Sequence, residues 1–346
     1  MALGWAIISA GAHPNNNIAP ALNSVDSEDL VAVYSRDQGR AEAFAEKHGA
    51  KAAYDDLDLL LADTRVDAVF IASPNSLHAQ HGLKAASAGK HVMMEKPMTT
   101  TLEDAVALVR GCRVAGVRLG MAFMMRHHPG HVLASEIVKQ GTLGKVNLAH
   151  VQAGPGVRGQ GPPPPRTGLQ AWWEDPVQIG GASVMMGIGV HLADLLRFVL
   201  NQEVTEVSAM SDGQTDEQPL EHMTTLLLRF DRGTIATLTC GRMIPDNRND
   251  LVLYGVDGRL ATQRTVGAPL QGKVEVVSEK LNQTQVYTQG RFGNFSRQLV
   301  EFHQAIEEGR DPSASGIDGL RVVEITLAMI ESARHGRTVK IQHQEV

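Results

Sequence analysis

The chain has 346 residues, a formal net charge of −6 and a pI near 6.2, which is enough length for two domains that each bury a core. Its lysines and arginines are scattered, which excludes the basic footprint of a nucleic-acid partner; its two cysteines, Cys112 and Cys240, stand alone in apolar segments as packing residues, which excludes a disulfide framework and leaves no metal expected. No apolar run approaches the ~20 residues of a membrane span and no leader-like start is read, so no membrane partner is expected and the cytoplasm is the expected address.

From residue 5 to 122, short apolar runs alternate with helical segments, the pattern of a parallel sheet covered on both faces. The predicted strands are 5–10, 30–35, 52–54, 68–72, 91–95 and 118–122, with helices at 18–24, 39–48, 57–62, 77–87 and 102–115. These form an α/β Rossmann domain, 1–125, with a doubly wound sheet. After Pro129 a helix at 131–139 and a strand at 146–152 lead to a Gly- and Pro-dense loop, 154–168, that contains Pro162 to Pro165; such a loop is either functional or disordered. A helix at 185–200 precedes strands at 204–210, 222–230, 234–240, 251–254, 273–277 and 285–288, and helices at 295–308 and 317–337 close the chain. Turns at Asp231-Arg232-Gly233 and Val256-Asp257-Gly258 suit hairpins. The region 126–346 is thus read as an α+β domain for substrate and oligomerisation, with a large, mostly antiparallel sheet of about six strands open on one face. An open apolar face finds a subunit partner, so a homodimer or homotetramer through this sheet is expected.

The first strand ends in Ser9-Ala10-Gly11-Ala12-His13, and Ile18 opens the next helix. A doubly wound sheet places a glycine-rich turn here, where backbone N–H groups and a helix N-terminus favour a pyrophosphate. The motif is imperfect, because Ser9 stands where the first glycine is expected and residues 12–16 read as an insertion. A phosphate loop and an ordinary strand-to-helix turn both fit it. The end of the second strand adds weight: an NAD site normally carries an acid there, whereas this chain has Ser35-Arg36, with Arg40 a turn later. A hydroxyl beside guanidinium groups suits a 2′-phosphate, so NADP is expected ahead of NAD, with solvated surface arginines as the plain alternative.

Strand five runs His91-Val92-Met93-Met94 into Glu95-Lys96-Pro97. Ligands of such sheets bind beyond the carboxyl ends of the strands, which directs Lys96 into the cofactor crevice; the proline after it restricts the backbone and permits a cis bond. Beside a cationic nicotinamide, burial and like charge disfavour the ammonium form, and such a lysine passes a proton near neutral pH. A salt bridge at a strand end is the competing account.

These residues, with Ala72-Ser73-Pro74-Asn75-Ser76-Leu77-His78, Gly181, Gly189-Val190-His191-Leu192-Ala193-Asp194 and Asp318-Gly319-Leu320, resemble the Gfo/Idh/MocA family, named for glucose-fructose oxidoreductase and inositol dehydrogenase, over nearly the whole chain. The resemblance implies that Lys96 contacts the reacting oxygen and the nicotinamide ribose, that Glu95 lies near the same ribose, and that Ala72, Ser73, Pro74, Asn75 and His78 line the dinucleotide. It also implies that His191 faces the substrate as acid or base. Asp194, three residues on, shares its helical face and either biases the imidazole or braces the helix. Many family members carry an Asp four residues before the His, where this chain has Gly187. Three outcomes stand: Lys96 and His191 suffice with water, a substrate group fills the gap, or catalysis is lost. Arg126 falls where the family places substrate-lining residues; Met124 is taken with it, packing being its alternative. Trp172 and Trp173 stack on a sugar ring or lie over the nicotinamide, with core packing as the competing account.

The expected activity is hydride transfer between nicotinamide C4 and a secondary alcohol, or its carbonyl, in a sugar- or polyol-like small molecule. A dihydrodiol dehydrogenase acting on a cyclic aromatic-derived diol, and a dinucleotide-sensing regulator without turnover, are the alternatives that fold alone does not separate.

Overall fold

The structure is a computed structural model that describes residues 2–288, 290 and 292–346; Met1, at the start of the first expected domain, lies outside them. The chain forms two compact units, one of residues up to Met124 together with Phe295–Leu320, the other of Met125–Asn294 together with Arg321–Glu345.

Among the described residues the first unit carries six strands: β1 (Leu3–Ile8), β2 (Glu28–Tyr34), β3 (Ala52–Tyr54), β4 (Ala68–Ile71), β5 (His91–Met94) and β6 (Leu119–Met121). They are all parallel, in the order β3-β2-β1-β4-β5-β6. β1 and β4 are buried along their whole length, which is why they read as unbroken apolar runs. Strand order reverses between β1 and β4, and a crevice opens beyond the carboxyl ends at such a point. Asp37, Asp56 and Thr101 cap the helices Gln38–His48, Leu57–Ala62 and Leu102–Val114 by accepting backbone N–H bonds in the first turn.

One expectation here is corrected. The residues read as an insertion are themselves helical: a π-helical turn, Pro14–Ile18, runs into Ala19–Leu22, with a proline in each opening turn where its missing N–H is not needed. A π turn abandons the 3.6-residue spacing, so the periodicity conceals it. The stretch 295–320, which the sequence assigns to the second domain, packs with the first unit. Glu28 explains the return: its buried carboxylate accepts from Trp5 Nε1 at 2.6 Å and sits 3.0 Å from His303 Nδ1. Phe302 lies on Trp5 with ring centroids 5.6 Å apart, and it passes so near Gly120 that a Cβ there would fall 2.6 Å from its ring.

Among the described residues the second unit carries nine strands: β7 (Val146–Ala153), β8 (Val204–Ser211), β9 (Met223–Phe230), β10 (Ile235–Gly241), β11 (Asp250–Gly255), β12 (Gly258–Gln263), β13 (Gly272–Ser278), β14 (Asn282–Tyr287) and β15 (Val339–Lys340). Their order is β14-β13-β12-β11-β7-β10-β9-β8-β15. The expected six-strand meander is corrected in two ways. β12 and β15 escape the sequence pattern because the first mixes Arg259 and Thr262 into its run and the second has two residues. In addition, β7 and β10 pair in parallel within an otherwise antiparallel sheet. β9 alternates exposed and buried residues throughout. The register places Met210, Met223, Leu227, Ile235, Tyr254, Val277 and Val286 on one exposed face. The opposite face, with Leu226, Leu238, Val151 and Leu251, is buried, and Val190–Leu200 packs against β7 and against the helix Pro129–Lys139. Both cysteines are free and buried; burial pushes the Cys112 thiol up to about 12 and raises that of Cys240 further, so both stay protonated and serve as packing groups.

Candidate functional site

In the first unit the turn after β1 keeps a glycine's backbone shape without the glycine. Ser9 takes φ +122°, and its Oγ accepts from the N–H of Gly11 at 3.2 Å. A Cβ on Gly11 would meet only that Oγ, at 3.3 Å, so the turn is open on this side. Ala10 and Ala12 flank it, and Ile18 is buried beneath. His13 reaches from the turn to β5: its Nε2 lies 2.8 Å from Glu95 Oε1 and its Nδ1 3.1 Å from Asn17 Nδ2. The other Glu95 oxygen accepts from the Lys96 backbone N–H at 3.2 Å. A chain of contacts therefore fastens the first turn to the strand end that carries Lys96, which is half-buried before a cis Lys96–Pro97 bond. The sequence reading does not mark Asn17, although its spacing of four from His13 was the available signal.

The loop after β4 is tied to β1 by the Ala72 N–H, which donates to Ile8 O at 3.1 Å. Ser73 and Asn75 are buried in it, with Pro74 just ahead of the helical turn Asn75–Leu77. His78 is fully buried, with Nδ1 2.8 Å from Pro97 O and Nε2 2.8 Å from Ser73 O, so it holds the β4 and β5 loops together. Burial lowers its pKa, against the pull of the two carbonyls. His81, unmarked by the sequence reading, places Nδ1 3.0 Å from Ser73 Oγ. Burial, then the charges of His78, Lys84 and Arg36, push its pKa down to about 4, so it is neutral at pH 7.

At the end of β2, Ser35 is buried and Arg36 exposed. Asp37, the nearby acid, spends Oδ1 as a helix cap on the Arg40 N–H at 2.8 Å. The Arg40 Nε is buried with no hydrogen-bond partner among the described residues, Asp37 Oδ1 being 3.8 Å away. A guanidinium N–H without an acceptor thus lies near a buried serine and an acid already engaged as a cap.

In the second unit, a π-helical turn, Met185–Gly189, runs into the helix Val190–Leu200. Its start is fixed from afar: the fully buried Glu221 accepts from Ser183 N at 3.1 Å and Met185 N at 2.8 Å, placing negative charge where a helix N-terminus favours it. Within this helix lies the buried His191. The Asp194 oxygens accept from Arg126 Nη2 at 2.6 Å and Nε at 2.8 Å, which ties this helix to Arg126. Arg197 continues the network, bidentate to Glu203 at 2.7 Å on both sides. Arg126, expected to line the substrate, is 5% exposed with its guanidinium engaged by Asp194 and set over the Phe198 ring at 5.3 Å. Met124 is buried as a packing residue.

Gly187 faces Trp173, whose ring would lie 3.5 Å from a Cβ at that position. An indole thus borders the space that an Asp side chain at 187 would enter. Trp172 and Trp173 lie against one another at 4.7 Å, tilted by 32°, both half-buried, and the Arg166 guanidinium sits 4.2 Å from the Trp173 ring centre. Among the described residues no group of three or more His, Cys, Asp or Glu is placed to hold a metal ion, and no helix is long and apolar enough to cross a membrane.

Residues 3–123 match a family described as "Oxidoreductase family, NAD-binding Rossmann fold", and residues 131–261 match "GFO/IDH/MocA C-terminal domain". The chain is 30% identical over 345 residues to a 1,5-anhydro-D-fructose reductase of Ensifer adhaerens, with 98% of each protein covered. It is 28% identical to a D-xylose 1-dehydrogenase (NADP(+)) of Haloferax volcanii, over 94% of this chain and 95% of the other. Its fold is similar to the crystal structure of an aldose-aldose oxidoreductase from Caulobacter crescentus complexed with glycerol, with a TM-score of 0.87, 26% identity, and 99% and 100% of the two chains covered. Sequence motifs, strand order and relatives agree: the chain belongs to the Gfo/Idh/MocA family of NAD(P)-dependent oxidoreductases.

Proposed function

We propose that the protein interconverts a secondary alcohol and its carbonyl in a sugar- or polyol-like small molecule, with NADP preferred to NAD and with Lys96 and His191 handling the hydroxyl proton. The observation that carries this reading is the Asn17–His13–Glu95 chain, which fixes the end of β5, where doubly wound sheets meet their ligands, and with it the backbone of Lys96. The dinucleotide, when bound, supplies or takes the hydride. The turn 9–13 offers backbone N–H groups to the pyrophosphate, Ala72 to Asn75 flank it, and Ser35, Arg36 and Arg40 take the 2′-phosphate. The Lys96 ammonium and the His191 imidazole hold and release the substrate proton in either direction.

Steady-state kinetics with NADP and NAD against a panel of sugars and polyols tests this. The expected result is turnover with kcat/KM at least about tenfold higher for NADP, an advantage that Arg40→Ala reduces by about tenfold through loss of a charge-assisted hydrogen bond. No turnover with either nucleotide, or a clear NAD preference, refutes it.

The exposed sheet face supports a second copy as partner, in a homodimer or homotetramer, because Met210 at 83% and Leu227 at 54% exposure belong to one apolar surface. Light scattering that reports a monomer would overturn this. The cytoplasm is the proposed location.

A further inference from the structure

His81 stands in the first turn of the helix His78–Ser87 and joins two strand ends of the first unit. Its Nδ1 lies 3.0 Å from the Oγ of Ser73, in the loop after β4. Its ring meets that of Tyr34, the last residue of β2, edge-on, with centroids 6.3 Å apart and planes at 82°. In the sheet β1 separates those two strands, so the imidazole spans the width of β1 at its carboxyl end. This is the β2 side of the crevice, away from Glu95 and Lys96 at the end of β5.

The residue is 9% exposed, and its other nitrogen, Nε2, has no hydrogen-bond partner among the described residues while keeping a solvent-accessible surface. His78, three residues earlier, is the contrast: as a tie between loops it spends both nitrogens on backbone carbonyls. Burial, and then the charges of His78, Lys84 and Arg36, keep the His81 ring neutral at pH 7. A neutral imidazole tethered at one nitrogen offers one further hydrogen bond, and the Ser73 hydroxyl, which donates or accepts, suits either tautomer. The dinucleotide reading lays the ligand along the strand ends, with the 2′-phosphate at Ser35, Arg36 and Arg40 and the nicotinamide toward Lys96. The base is carried on C1′, next to the carbon that bears the 2′-phosphate, so it falls beside the residues that follow Tyr34. There a planar heterocycle meets an aromatic wall and one open ring nitrogen. Adenine carries an amino donor beside ring acceptors on one edge, which satisfies Nε2 in either tautomer.

We propose that His81, with Tyr34 beside it, seats the adenine of the dinucleotide, its Nε2 hydrogen-bonding the amino-bearing edge of the base. This rests on the dinucleotide reading and adds to it a residue that recognises the base rather than the phosphate.

Calorimetric titration with NADP, NAD and the ethenoadenine derivative of NADP, whose added ring blocks the amino-bearing edge, tests it without requiring turnover. His81→Asn is the informative variant, because its amide reaches the place of Nδ1 beside Ser73 and nothing stands for Nε2. It should weaken NADP and NAD by the same factor, about fivefold, the loss of one hydrogen bond, with the thermal midpoint retained. The etheno derivative should bind the unaltered protein about fivefold or more weakly than NADP and lose little further on substitution. NADP and NAD affinities that both stay within about twofold overturn the proposal, since that is the smallest loss one hydrogen bond gives. A loss confined to NADP also overturns it, because the contact would then be with the 2′-phosphate. If the variant misfolds, the etheno derivative decides on the unaltered protein, where binding equal to that of NADP overturns the proposal. The dinucleotide reading fails in a different way: the unaltered protein takes up neither NADP nor NAD.

Discussion

Lys96→Ala is expected to lower kcat by about 10²- to 10⁴-fold, the range that a positioned acid–base group contributes. One contact of this residue is made by its backbone: the N–H that donates to Glu95 Oε2 at 3.2 Å remains when the side chain is cut back. The His13–Glu95 contact, and with it the shape of the turn after β1, should persist, so dinucleotide affinity should stay within about threefold, under 1 kcal/mol. Fluorescence titration with NADPH beside steady-state kinetics separates the two effects. Unchanged turnover would remove Lys96 from the chemistry, and equal loss of binding and turnover would make it a positioning residue for the cofactor.

The largest loss of stability is expected at Arg126. Its guanidinium and the Asp194 carboxylate are 5% and 1% exposed and joined by two short bonds, so Arg126→Ala takes both bonds from a buried carboxylate that has Arg197 Nη1 3.8 Å away. Breaking a buried pair from one side costs about 3–5 kcal/mol. For a unit of this size that lowers the melting temperature by roughly 10 °C. The double variant Arg126→Met with Asp194→Leu should recover most of the loss, because it removes the orphaned charge as well. Scanning calorimetry on the two variants reads this directly; a single variant that melts within 2 °C of the parent, far less than about 3 kcal/mol would give, would show the pair to be solvated and weak.

The first sheet was legible because its central strands β1 and β4 are buried along their whole length and are therefore written as local apolar runs. Glu95-Lys96-Pro97 was legible because the chemistry of such sheets gathers at strand ends. What escaped the sequence is non-local or off-period. The pairing of Arg126 with Asp194 spans 68 positions. Glu221 fixes the start of the His191 segment from 36 residues away. The π turn at Pro14–Ile18 hides from helical periodicity, and so do β12 and β15, one for its mixed pattern and the other for its length. Trp173 beside Gly187 is a contact between two short helical turns, Gly168–Glu174 and Met185–Gly189, that no spacing rule connects.

The discontinuous first unit bears on how the protein is made. Glu28 and His303 are separated by 275 positions, which a ribosome takes roughly 15–60 s to cover at ordinary elongation rates. Throughout that interval the earliest strands of a nascent chain lack the imidazole and the phenyl ring that finish their packing. Truncated transcripts ending before Phe302 should therefore yield chaperone clients rather than a free-standing nucleotide-binding module.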